Sequence, residues 1–76
     1  MTDARPQKHS LTLRGHRTSV SLEAPFWDAL RAIAAARALS VNALAAEIDA
    51  RRAPEVGLAS AIRVFVLDWF RARAGT

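Results

Sequence analysis

Three polar side chains at alternate positions, Arg17, Ser19 and Ser21 in "RTSVSL", carry the most suggestive chemistry in this 76-residue chain. Strand side chains alternate between faces. These three therefore share one face, while Thr18, Val20 and Leu22 share the other. A guanidinium in line with two hydroxyls is neither a nucleophile with its base nor a metal site. It is a row of hydrogen-bonding groups with a cation at one end. Two such strands side by side make a ribbon of a width that the DNA major groove accepts. There arginine donates bidentately to guanine, and serine bonds several base edges. The strand needs a mate, because a lone strand leaves its backbone N–H and C=O groups unpaired. The simplest mate is the same strand of a second copy, antiparallel across a two-fold axis. The short alternating piece "SLTL", residues 10–13, joined through a turn at Gly15, offers a hairpin instead.

Other reactive residue types form no constellation. The chain has no cysteine, which excludes disulfides and thiolate metal sites. His9 and His16 lack nearby acidic partners and make a poor metal site. Asp28, Glu47, Asp49 and Asp68 are scattered along helical segments, with Asp28 placed to pair with Arg31 at i+3. There is no nucleophile motif, Gly-rich phosphate loop or metal spacing. The reading is a non-enzyme without a cofactor.

The elements that must position the polar strand can be read from punctuation and periodicity. Residues 1–9 are polar, contain Pro6, and read as a flexible basic arm; residues 10–76 read as a single domain. After a strand over about 17–22, helix A is expected over about 24–37, with Pro25 in its first turn and Phe26, Leu30, Ile33, Ala34 and Arg37 as its stripe. Helix B comes next, over about 40–52, with Ser40 as N-cap and Val41, Leu44, Ala45 and Ile48 facing the core. "RRAPEVG" is a linker. Helix C is expected over about 58–73; Ile62, Phe65, Val66 and Trp69 form its stripe, while Val64, Leu67 and Phe70 lie on other faces. Arg51 and Arg52 read as a solvated helix end, and Arg63, Arg71 and Arg73 as a solvated face of helix C. No internal repeat stands out.

Composition adds a partner to this picture. With 51% apolar residues in 76, the chain holds more hydrophobic material than a monomer of its size easily hides. A second copy is the stabilising device left once disulfides and metals are excluded. Net charge is +4, from ten arginines and one lysine. Residues 1–22 carry Arg5, Lys8, Arg14 and Arg17 against Asp3 alone, which favours an anionic partner such as nucleic acid. A polar N-terminus without a signal peptide, no membrane span and no cysteine fit a cytoplasmic protein.

The strand and the segment after it, "LEAPFWDALRAIAAARALSVNAL", residues 22–44, resemble the ribbon-helix-helix DNA-binding domain family. The likeness is closest to small bacterial members opening "GHRTS-SLE--FW-AL", matched by Gly15–Ser19, Ser21–Glu23, Phe26, Trp27, Ala29 and Leu30. It implies a mostly α fold with a short N-terminal β-strand or hairpin, an additional C-terminal helix, and an intertwined homodimer. It implies sequence-specific DNA binding through a two-stranded antiparallel ribbon, and a role in transcription regulation. Carried over, Arg17, Ser19 and Ser21 are the base contacts. Ser40, Val41 and Asn42 at the start of helix B are the phosphate clamp, because free N–H groups at a helix N-terminus point at anions. The basic groups Arg14, His16 and Lys8 join them as phosphate contacts. In this family the turn between helices A and B needs a left-handed residue, often glycine; Ala38 stands here at a cost of about 1 kcal/mol. Helix C also looks like a second helix of the family, with Ser60 as its cap.

Two other functions share these features. Ribbon-helix-helix domains often form the DNA-binding half of antitoxins, and helix C would then have to hold the toxin. Alternatively the chain is a protein-interaction module docking a partner through the apolar faces of helix C.

Overall fold

The computed structural model describes residues 4–74. Strands β1 (Pro6–Leu13) and β2 (His16–Glu23) form a two-stranded antiparallel sheet, followed by helices α1 (Ala24–Ala36), α2 (Val41–Arg51) and α3 (Leu58–Ala74). The mate of β2 is therefore β1 of the same chain, and "SLTL" is the second half of a full strand. The turn at Arg14 and Gly15 has positive φ at both residues, 52° and 85°. That geometry matches the right-handed twist of a two-residue hairpin, and glycine at the second position adopts it without cost.

Part of the segment read as a flexible arm is ordered. Pro6, Gln7, Lys8 and His9 pair with Glu23, Leu22, Ser21 and Val20. Their side chains are exposed, so nothing apolar announces the strand. Trp27 holds it from below. The indole Nε1–H donates to the Gln7 carbonyl at 2.8 Å, and the His9 ring stands edge-on to the indole at 4.7 Å. Residues 1–3 of that arm lie outside the described residues.

Leu11, Leu13, Val20 and Leu22 line the inner face of the sheet and meet Leu30, Ile33, Leu44, Ile48, Ile62 and Val66 in one core. On α1 the residue driven into that core is Trp27 rather than Phe26, which is half-buried beneath the Arg63 guanidinium. Leu30, Ile33 and Ala34 of the expected stripe are buried as read; the stripe differs at its ends, where Trp27 sits under β1 and Arg37 is exposed. Helix α1 ends in a Schellman motif: Leu39 N–H donates to the Ala34 carbonyl at 2.8 Å and Ala38 N–H to Ala35 at 3.1 Å. The motif requires a left-handed residue at its corner, and Ala38 takes that place with φ 56°.

Helix α3 begins at Leu58, with Ala61 N–H bonded to the Gly57 carbonyl, so Ser60 lies within the helix and is not its cap. Arg63 is not merely solvated. Its Nε donates to Glu23 at 2.9 Å, clasping α3 to the junction of β2 and α1 across 40 residues of sequence. Arg52 also has work beyond solvation, bonding Asp49 at 2.6 Å and the Val56 carbonyl at 2.8 Å to fold the linker back. Arg73 lies over the Trp69 ring at 3.3 Å from its centroid. On the outer side of α3, Val64, Leu67 and Phe70 are 59%, 53% and 46% exposed.

Candidate nucleic-acid interface

The register fixes which side chains share the outer face of the ribbon. Directly opposed residues lie on the same face of an antiparallel pair. Arg17 stands opposite Thr12, Ser19 opposite Ser10, and Ser21 opposite Lys8. All six are exposed. The strand residues named from the sequence thus lie in one row, and β1 lays a second row beside them. Sequence reading missed Ser10 and Thr12 as site residues; the signal was their alternation with Leu11 and Leu13.

The backbone edges of the ribbon are set by its turn. In a two-residue hairpin the closing pair, here Leu13 and His16, exchanges hydrogen bonds, and bonded pairs recur at every second position. The N–H and C=O groups of Lys8, Ser10 and Thr12 therefore point off the β1 edge, and those of Arg17, Ser19 and Ser21 off the β2 edge. A side chain meets each edge. Thr12 N–H donates to Asn42 Oδ1 at 3.2 Å, and Arg63 Nη2 approaches the Ser21 carbonyl at 3.4 Å.

The Asn42 contact also brings the start of α2 to the ribbon. Ser40 caps this helix, its Oγ accepting from Ala43 N–H at 3.0 Å. The first-turn N–H groups of Val41 and Asn42 have no intrahelical acceptor by position. No acidic residue occupies that first turn, so no side-chain anion offsets the positive end of the helix dipole. Asn42 contributes its side-chain oxygen to β1, leaving backbone N–H and amide Nδ2 as its donors. Arg14 and His16 flank the hairpin tip near Thr12, at the same end as Asn42. Lys8 stands at the far end of the ribbon, away from the start of α2.

The charge around this surface is one-sided. No aspartate or glutamate occurs from Ala4 to Leu22. Four acids from Glu23 onward are tied to arginines. Arg37 Nη1 meets Glu47 at 2.6 Å, Arg63 meets Glu23 at 2.9 Å, Arg52 meets Asp49 at 2.6 Å, and Arg31 meets Asp28 at 3.2 Å. The hydrogen bonds from Arg63 and Arg37 hold the Glu23 and Glu47 carboxyls below the ordinary carboxylate range, and Glu47 in turn raises Arg37. Lys8 and Arg17 thus face solvent on an outer face without local anions, whereas Arg14 and His16 line a hollow shared with Asp49, which is itself bonded to Arg52.

Among the described residues no group of three or more metal-ligating side chains occurs, no polar side chain is buried, and no single helix is long and apolar enough to cross a membrane. No curated protein and no solved structure matches the chain. A family model described as a ribbon-helix-helix domain matches residues 6–70, from the first strand through most of α3. With this match over most of its length, and with a ribbon followed by the two helices that give the fold its name, the chain belongs to the ribbon-helix-helix domain family, whose members are DNA-binding regulators.

Proposed function

We propose that this protein is a sequence-specific, non-enzymatic DNA-binding regulator of transcription that works in the cytoplasm as a homodimer. The observation that carries the reading is the acid-free outer face of the ribbon, with Arg17, Ser19 and Ser21 in one exposed row, tied through Thr12 and Asn42 to the open N-terminus of α2. Seated in a major groove, that row meets base edges, Arg17 as a bidentate donor to guanine and the serines as adaptable donors or acceptors. The N–H groups of Val41 and Asn42, with Ser40, hold a backbone phosphate and set the depth and tilt of the ribbon. Arg14 and His16 at the tip take neighbouring phosphates. The exposed Val64, Leu67 and Phe70 on α3 favour association with a second copy. A dimer on paired half-sites, or several dimers side by side, raises the specificity ratio beyond what one short ribbon achieves.

The test is selection of genomic DNA fragments by the wild-type protein and by Arg17→Ala/Ser19→Ala at about 150 mM salt, where exposed charges more than about 8 Å apart are largely screened. A short recurrent motif enriched by wild type and lost in the folded variant supports the reading. Uniform capture of all fragments by both proteins, released together as salt rises, refutes it and leaves only non-specific charge.

A further inference from the structure

Although no internal repeat stands out along the chain, the pairing register reveals that the two strands of the hairpin follow one pattern. β1 reads "KHSLTL" from Lys8, and β2 reads "RTSVSL" from Arg17, nine residues later. Position by position, cation stands for cation, serine for serine, and hydroxyl for hydroxyl, with Leu11 and Leu13 matched by Val20 and Leu22 on the buried face. The pairing register turns this repeat into symmetry. A two-fold axis through the opposed pair Ser10 and Ser19 carries Lys8 onto Arg17 and Thr12 onto Ser21. The outer face then has a cation at two diagonal corners, a hydroxyl at the other two, and a serine pair at the centre.

We propose, resting on the DNA-reading role above, that β1 reads bases as fully as β2 does. Lys8, Ser10 and Thr12 are the pseudo-symmetric equivalents of Arg17, Ser19 and Ser21, and one chain presents a complete two-stranded reading head. Lys8 thereby leaves the phosphate contacts, in keeping with its place far from the start of α2. Width supports this assignment. At about 4.8 Å per strand, two hairpins joined edge to edge would place their outer strands about 14 Å apart, wider than a groove of about 12 Å. A single hairpin fits. Asn42 and Arg63 already meet the two edges at which another strand would add. Each reading row spans four residue steps, about 14 Å, which matches about four base-pair steps. The hairpin therefore suits a short, nearly palindromic element read by one chain.

The experiment is motif selection from randomised duplex DNA with four full-length proteins: wild type, Ser10→Ala/Thr12→Ala, Arg17→Ala/Ser19→Ala, and Lys8→Arg/Thr12→Ser. Circular dichroism and melting temperature accompany each. Ser10→Ala/Thr12→Ala changes no charge and keeps the Thr12 N–H bond to Asn42, so non-specific affinity serves as its internal control. The expected result is a roughly tenfold loss of base preference, one base contact's worth, on one half of the motif with the β1 variant and on the other half with the β2 variant. Lys8→Arg/Thr12→Ser makes the outer rows identical, and its motif becomes more symmetric. If both β1 variants select the wild-type motif unchanged while Arg17→Ala/Ser19→Ala loses it, β2 alone reads and this inference is overturned, with the proposed function intact. If wild type selects no motif, the proposed function fails and this inference falls with it.

Discussion

Replacing Ala38 with glycine should make this protein more stable, against the general rule for that substitution. At Ala38 the backbone has φ 56°, where a Cβ is crowded by the following carbonyl at a cost of about 1–2 kcal/mol. Glycine removes that cost but gives the unfolded chain more freedom, which returns about 0.4–1 kcal/mol. The exposed methyl contributes little packing, and both Schellman hydrogen bonds, at 2.8 and 3.1 Å, are made by backbone atoms that glycine keeps. The difference of the two ranges runs from about 0 to 1.6 kcal/mol, and its middle, about 0.5–1 kcal/mol, is the expected gain. In a domain of this size it corresponds to a rise of about 2–8 °C in melting temperature. Calorimetry and urea titration at one fixed protein concentration measure it free of mass-action effects. Ala32→Gly, on the exposed middle of α1, is the control, expected to destabilise by about 1 kcal/mol. If Ala38→Gly and Ala32→Gly lower stability alike, the left-handed corner carries no relievable strain and the reasoning is refuted.

Arg14→Asn should separate folding from binding. Asparagine tolerates φ 52° at the hairpin turn better than arginine, raising stability by up to about 1 kcal/mol, while loss of the phosphate contact proposed for Arg14 should flatten the log–log salt dependence of DNA affinity by about 0.9. Opposite signs in melting and filter-binding experiments are the expected outcome. Glu23 and Glu47 have folded pKa values below the ordinary 4.5, so their contribution to stability is complete above that value and is lost as pH falls through the lowered folded values. Urea midpoints followed from pH 7 to 3 should drop in the acid range, and Arg63→Met should lower the neutral-pH midpoint while making that drop shallower. Leu67→Glu, at a position 53% exposed, should leave the helical circular dichroism unchanged and shift the light-scattering mass from the proposed dimer to monomer; a dimer mass kept by the variant removes α3 from the contact, and a monomer mass in wild type refutes the dimer. Trp27→Phe breaks the 2.8 Å bond to the Gln7 carbonyl and leaves a void beneath β1; a loss of about 1–3 kcal/mol with faster amide exchange in β1 than in α2 is expected.

The helices were legible because their ends carry chemical punctuation. Pro25 suits the first turn of α1, Ser40 caps α2, and Pro54 and Gly57 interrupt the chain before α3. Within the ribbon, β2 announced itself through Val20 and Leu22. The first half of β1 did not, because Gln7, Lys8 and His9 place no apolar side chain in the core; their order comes from backbone pairing and one indole hydrogen bond, which no local pattern encodes. The α1 stripe named Phe26, and the seat of Trp27 beneath β1 is not encoded in it, for a related reason. Helix periodicity puts Leu30, Ile33 and Ala34 on the buried face, and the seat beneath β1 decides which of the two neighbouring aromatics joins them most deeply. The pairing of Arg63 with Glu23 joins positions 40 residues apart and has no sequence signature. Arg17, Ser19 and Ser21 share a face because strand alternation is strict; Ser10 and Thr12 alternate with Leu11 and Leu13 in the same way, but only the pairing of β1 with β2 places them on the same face as that row.

Because both strands of the ribbon come from one chain, its assembly is a first-order process. A two-residue hairpin closes on a timescale of about 1–10 μs. A ribbon assembled from two molecules forms only as often as they meet, and it dissolves on dilution. Here the surface bearing Arg17, Ser19 and Ser21 exists in every folded molecule, whatever the protein concentration. A cell holding only a few copies would keep each of them competent for a first encounter with DNA. Dimerisation would then set how long a bound molecule stays, leaving intact the surface with which it arrives.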